Sequence, residues 1–249
     1  MKVIENICYA SDKPDAQVLD LYLPDCNSFP VVIYFHGGGI VGGDKKESFL
    51  KHLQAKGVAV ISANYRMYPD AKYPEFVEDA ASVVAWAYKN MSTYGTIQGH
   101  FVGGSSAGGY LTQLLCFDKH YLQVHGIDSD EITGYIMDAG QPTAHFNVLK
   151  ERGFDHRRVI IDETAPIYHI TANRNYAPML ILTAENDMRN RAEQTALMIS
   201  TLLHLGCDES KIDSRVLAGY KHVGYVTDID ENGNSVFADL IYEFIAKNI

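Results

Sequence analysis

Positive charge is scarce in this chain: 21 Lys and Arg stand against 31 Asp and Glu, a formal net charge of −10 over 249 residues. A surface of that sign repels phosphate backbones and anionic headgroups, so neither nucleic acid nor membrane is an expected partner. Long apolar runs are missing as well. No stretch reaches the roughly 18–20 residues that a bilayer-spanning helix needs. The opening MKVIENICYASDKPDA lacks the apolar centre of a secretory signal. The chain therefore reads as cytoplasmic, with a mature secreted form as the alternative. Cysteine is sparse, and Cys8, Cys26, Cys116 and Cys207 form neither a CxxC pair nor a dense framework. They are expected to be reduced thiols in the core, not a disulfide scaffold or a metal site. Internal repeats and low-complexity tracts are absent. The charged fraction of 21% and hydrophobic fraction of 47% exclude disorder and can fill one large core. The length suits a single α/β domain over residues 1–249.

What is present is an alternation of strand-like and helix-like segments. QVLDLYLP (17–24) alternates apolar and polar residues, as a half-buried antiparallel strand would, and pairs naturally with residues 2–9 as an opening hairpin. PVVIYFHG (30–37) and VAVISANY (58–65) are continuous runs of the buried-strand type. ESFLKHLQAKG (47–57) is helical and stops at a glycine. In YPEFVEDAASVVAWAYKNM (73–91), Phe76, Val77, Ala80, Val83, Val84 and Ala87 recur at helical spacing. Further strands are predicted in HFVGGS, EITGYIMDAG (131–140), APMLILTAEND (177–187) and KIDSRVLAG (211–219). Helices are predicted over 107–119, 190–206 and 235–248. Strands alternating with helices argue for a mostly parallel sheet covered on both faces. Residues 140–176 fit this rhythm poorly and read as an insertion or lid over the sheet. Open parallel sheets bind ligands beyond the carboxyl ends of their strands, so residues just after strands carry the functional signal.

The first such signal is GGSSAGG at 103–109, directly after HFV. Gly104-Ser105-Ser106-Ala107-Gly108 fits G-x-S-x-G between a strand and a helix. A turn that tight strains its central residue and leaves no room for side chains beside it. It lifts the Ser106 hydroxyl outward and sets the Ala107 amide at a helix N-terminus, where negative charge is favoured. Ser105 is the fallback nucleophile, and a plain Gly-Ser turn is the bland reading. A second glycine cluster, FHGGG (35–39), also follows a strand. An acyl-transfer oxyanion needs preorganised backbone donors, and glycine lets the backbone approach it. Gly37 and Gly38 are the expected donors beside Ala107, with His36 bracing the loop. The same glycines match the dinucleotide pattern G-x-G-x-x-G from Gly37 to Gly42. That pattern expects an acidic residue at the end of the next strand, where this chain has Asn64.

A serine hydroxyl is a weak nucleophile without a base, and a histidine base needs a carboxylate to fix its tautomer. His222, in LAGYKHVGY after the last strand, is the favoured base. His204, His52 and His120 read as helix-surface or helix-terminal residues. His145, His156 and His169 lie in the insertion and read as structural or solvated, with contact to substrate as the alternative. Asp187, after the strand MLIL, is the favoured acid, with Glu185 as runner-up and Asp138 third.

These residues carry a family resemblance. VVIYFHGGG, ISANYRMYPDAKYPEFVEDAASVVAW, VGGSSAGGYL, LILTAEND and YKHVGY together resemble the α/β-hydrolases of the esterase/lipase group with an HGGG oxyanion loop. These are the hormone-sensitive-lipase-like relatives, and the short chain is nearest their small acetyl- and feruloyl-esterase-like branch. The order Ser106, Asp187, His222 is that of the fold's triad. In the run YR…P…P…DA, Arg66 and Asp79 are structural by the same resemblance. The resemblance implies a carboxylic ester hydrolase with no metal and no organic cofactor. Its substrate would be a small ester, an esterified carbohydrate among the candidates; a homodimer is left open. Ile40, Tyr110, Phe146, Tyr168 and Met188 are the expected substrate wall, apolar enough for an aryl or short acyl group. Two other readings stand beside this one: an amidase, formamidase or small peptidase on the same triad, and a non-catalytic binding protein that keeps the fold.

Overall fold

Runs of β-branched and aromatic residues become the strands, as their fit to a pleated, buried surface requires. The computed structural model describes residues 1–13 and 15–249. Its strands are β1 Lys2–Cys8, β2 Val18–Leu23, β3 Ser28–Phe35, β4 Ala59–Ala63, β5 Thr96–Ser105, β6 Gly134–Asp138, β7 Met179–Asn186 and β8 Ile212–Lys221. They form one sheet in the order β1-β2-β4-β3-β5-β6-β7-β8. β2 runs antiparallel to both β1 and β4, and every pairing from β4 to β8 is parallel. The opening hairpin and the parallel body are those expected from the sequence.

The helices are α1 Leu50–Ala55, α2 Glu75–Asn90, α3 Ala107–Phe117, α4 His120–Gln123, α5 Phe146–Glu151, α6 Arg191–His204 and α7 Val236–Asn248. Alternation along the strands divides the core into two layers. Val31, Ile33 and Phe35 of β3 face α2, α3 and α6, while Val32 and Tyr34 face α1 and α7. The apolar stripe of α2 is buried at every position the periodicity named. Each large apolar side chain buried this way stabilises the fold by about 1.5–3 kcal/mol.

Two elements differ from the sequence reading. β2 is buried from Leu19 to Leu23 and does not alternate in exposure. Its polar residue Asp20 is fully covered because Lys45 reaches it from a neighbouring loop, 3.2 Å away, and the Asn6 amide donates to it at 2.8 Å. Within 140–176 the chain forms α5 and a short 3-10 turn at Pro166–His169. Ala165, Ile167 and Ile170 of this segment are buried in the core, and Tyr110 donates its hydroxyl to Thr164 O at 2.7 Å. Among the described residues, no helix is long and apolar enough to cross a membrane. Because β3, β5, β7 and β8 run parallel, the loops after all four open at the same edge of the sheet.

Candidate active site

β5 ends at Ser105 and α3 starts at Ala107, leaving Ser106 alone in the bend at φ 55°, ψ −109°. A non-glycine residue in that region costs on the order of 1–3 kcal/mol and persists only where its surroundings hold it. Here the Ser106 amide donates to Asp138 O at 2.8 Å, and Ser106 O accepts from the Tyr110 amide at 3.0 Å. The flanking glycines are steric necessities. A Cβ on Gly108 would lie 1.9 Å from Phe35 O, and one on Gly104 would lie 2.5 Å from the Gly108 carbonyl carbon.

His222, just beyond β8, meets this serine across 116 residues of chain, with Nε2 2.8 Å from Ser106 Oγ. Its Nδ1 is 2.6 Å from Asp187 Oδ1. An ionised carboxylate can only accept, so the ring proton sits on Nδ1 and Nε2 is free to accept from the serine hydroxyl. Asp187 lies just past β7, and its carboxylate also accepts the amides of Met188 at 2.7 Å and Ala184 at 3.3 Å. Burial pushes the Asp187 carboxyl up. The hydrogen bond and charge of His222 and the two amides outweigh that and hold it below the usual value. It is therefore ionised at neutral pH.

The runner-up residues are otherwise engaged. Ser105 is buried, accepts the Tyr34 hydroxyl at 2.8 Å and donates to Asp138. Asp138 also accepts the Tyr225 hydroxyl. Burial raises the Asp138 carboxyl to about 6, against the lowering by Ser105, Tyr225 and the nearby His222. Glu185 accepts the Gly219 amide at 2.7 Å, outside the Ser106–His222–Asp187 chain.

The glycine loop after β3 runs against the serine bend. A Cβ on Gly37 would sit 3.4 Å from Ser106 Cβ, and one on Gly38 (φ +110°) 2.0 Å from Gly42 O. His36 braces the loop as expected: its Nδ1 is 2.6 Å from Gly37 O, its carbonyl accepts the Tyr65 hydroxyl at 2.8 Å, and its ring stacks on Tyr65. Among the described residues, the amides of Gly37, Gly38 and Ala107 donate to no protein acceptor. Unpaired donors beside a nucleophile are what a developing oxyanion requires.

The five wall residues do not come together. Phe146 and Met188 line one cavity of about 510 Å³. Tyr168 lines a separate hollow with Phe117 and Arg174. Ile40 and Tyr110 are fully buried and offer no surface to a ligand. Tyr110 sits on the α3 face that the insertion covers, and Ile40 turns inward at φ 62°. Sequence reasoning missed Asn147, which donates to Gly39 O at 2.5 Å and ties the insertion to the glycine loop. It also missed Arg191, buried at the start of α6. The basic doublets in DHRRV and MRNR, inside an acidic chain, were the available signal for the cavity that Arg191 lines.

A family model described as BD-FAE matches residues 19–148. Over 223 residues the chain is 27% identical to the esterase LipC of Mycobacterium tuberculosis, covering 79% of this chain and 54% of that protein. The chain spans about half or less of the length of the curated relatives it matches. Among solved structures, esterase B from Lactobacillus rhamnosis superposes with a TM-score of 0.79 at 18% identity, covering 98% of this chain and 85% of that one. A truncated carbohydrate esterase from gut microbiota gives 0.79 at 17% identity, with 99% and 97% covered. At such identities the likeness establishes the α/β-hydrolase fold.

Proposed function

The chain belongs to the BD-FAE family, and on that premise we propose that it is a serine esterase cleaving small carboxylic esters through an acyl-enzyme. The observation that carries this reading is the continuous hydrogen-bonded chain Ser106–His222–Asp187, at 2.8 and 2.6 Å. In the first step His222 Nε2 takes the proton of Ser106 as Oγ attacks the ester carbonyl. The carbonyl oxygen becomes an oxyanion held by the amides of Gly37, Gly38 and Ala107, and Asp187 stabilises the imidazolium. His222 then gives its proton to the departing alcohol oxygen, leaving the acyl group on Ser106. A water molecule, deprotonated by the same imidazole, attacks the acyl carbon, and Ser106 leaves with the returned proton. Short acyl or aryl esters of the acetyl and feruloyl type are the proposed substrates. The cavity bounded by Phe146 and Met188 supports this, its volume lying in the range of small-ligand pockets with two apolar side chains on its wall. An esterified carbohydrate as the alcohol half is supported by the carbohydrate esterase among the fold's neighbours.

The test is labelling by a fluorophosphonate probe followed by peptide mapping, together with hydrolysis of 4-nitrophenyl acetate, 4-nitrophenyl butyrate and a feruloyl ester. Modification at Ser106 and turnover lost in Ser106→Ala are expected. An unlabelled Ser106, or full turnover in the variant, would reject the reading. Comparing each ester with its matching anilide distinguishes an esterase from an amidase.

A further inference from the structure

The cavity lined by Phe146 and Met188 contradicts the overall charge of the molecule. Of its eleven lining residues, six are Lys150, His156, Arg157, Arg158, Arg189 and Arg191, and none is acidic. With 21 Lys and Arg in 249 residues, about one would be expected among eleven; the cavity holds five. Arg157 is neutralised by Asp155 at 2.6 Å. Among the described residues, no carboxylate lies within 4.0 Å of the Lys150, Arg158, Arg189 or Arg191 side-chain nitrogens. Arg191 is the most informative, being only 4% exposed. One of its guanidinium nitrogens donates to Ala139 O, and among the described residues its remaining N–H groups find no protein acceptor. It lines the cavity, so those free donors face the open space. Burial lowers its pKa to about 10, against the raising fields of Asp187 and Asp138, and it stays cationic at neutral pH.

Two of the cavity's lining residues border segments that carry the site. Met188 follows Asp187 directly, and the Phe146 ring lies 3.3 Å from where a Cβ on Gly39 would stand. A cationic, partly apolar chamber at this place suits a substrate part that is carbon-framed near the ester and negatively charged at its far end. Guanidinium forks match planar oxyanions in pairs of hydrogen bonds, and a buried fork is less screened by salt than an exposed one.

We propose that this cavity binds an oxyanion group, carboxylate or phosphate, carried by the substrate, so that the preferred esters are anionic. The proposal rests on the serine esterase reading for its place in catalysis, but the binding site itself does not. Its test compares matched esters. Phenyl acetate is set against 4-acetoxybenzoate and 4-acetoxyphenyl phosphate, which carry the charge on the alcohol side. 4-Nitrophenyl butyrate is set against 4-nitrophenyl hemisuccinate, which carries it on the acyl side. At low salt, at least one anionic ester is expected to exceed its neutral partner about tenfold in kcat/KM, chiefly through KM. That ratio should fall towards one in 0.5 M NaCl and in Arg158→Ala/Arg189→Ala. It should largely persist in Arg158→Lys/Arg189→Lys. Neutral esters cleaved as well as all the anionic ones, or a ratio untouched in the alanine variant, would overturn the proposal. If no ester of either kind is cleaved, the esterase reading fails instead, and binding decides the cavity. In that case calorimetry of Ser106→Ala with 4-hydroxybenzoate and 4-hydroxyphenyl phosphate should give salt-sensitive binding that the added alanine pair removes. Binding of neither ligand would sink the proposal on its own.

Discussion

Ser106, His222 and Asp187 act as a unit, so removing Ser106 or His222 alone should cost nearly as much as removing all three. Ser106→Ala is expected to lower kcat on 4-nitrophenyl acetate by about 10⁴-fold or more, with a thermal midpoint near that of the parent. Asp187→Asn keeps the shape but donates where Asp187 accepts, which favours the wrong imidazole tautomer; a loss of about 10⁴-fold is expected. Asp138 gives a pH signature. Its carboxyl is held at about 6 in the fold against 3.8 ordinarily, so between those values the folded chain binds a proton that the unfolded chain has released. Stability from this group therefore declines as pH rises through that window. Urea midpoints across about pH 4–6.5 should show that slope, and Asp138→Asn should flatten it; an unchanged slope would refute the assignment. Ser106, Asp187 and His222 were legible in the sequence because each is the right residue type directly after a strand. Ile40 and Tyr110 were misjudged because apolar character alone does not tell which way a residue after a turn faces, and both turn inward.

At the level of elements, the bend after β5 depends on backbone passing backbone. Gly108→Ala would put a carbon 1.9 Å from Phe35 O and should destabilise by about 3 kcal/mol in urea titrations. Gly42→Ala is its control in the glycine loop, since a Cβ there meets nothing within 4 Å. It should leave stability unchanged or raise it by up to about 1 kcal/mol by restricting the unfolded chain. The buried pair under β2 is a third case. Lys45→Met leaves Asp20 covered and without its cation, and breaking such a pair costs about 3–5 kcal/mol. The strands and long helices were readable because burial on two faces leaves continuous apolar runs and burial on one face leaves helical spacing. α5 and the turn at Pro166–His169 were not, because neither is long enough to show a period and tertiary contacts hold both. β2 misled for a related reason: its polar residue is paired with a lysine 25 positions away, which no local pattern reveals.

Across the whole molecule, protection should follow depth in the sheet. β3 and β5 lie in its interior, with β3 buried along nearly all its length, whereas β1 and β8 form the edges and have no fully buried residue. Amide exchange should be slowest in β3 and the second half of β5 and fastest in β1 and β8, as read by mass spectrometry of peptic fragments. Comparable rates in edge and centre would argue against the order of strands described above. The placement of His222 after β8, 116 residues beyond Ser106, carries a consequence for biosynthesis. While the ribosome is still adding the last strand, the serine bend exists without its proton acceptor. A nascent chain thus lacks the base of this hydrogen-bonded chain until His222 has been added, and a complete Ser106–His222–Asp187 arrangement is a late report on the folding of the sheet.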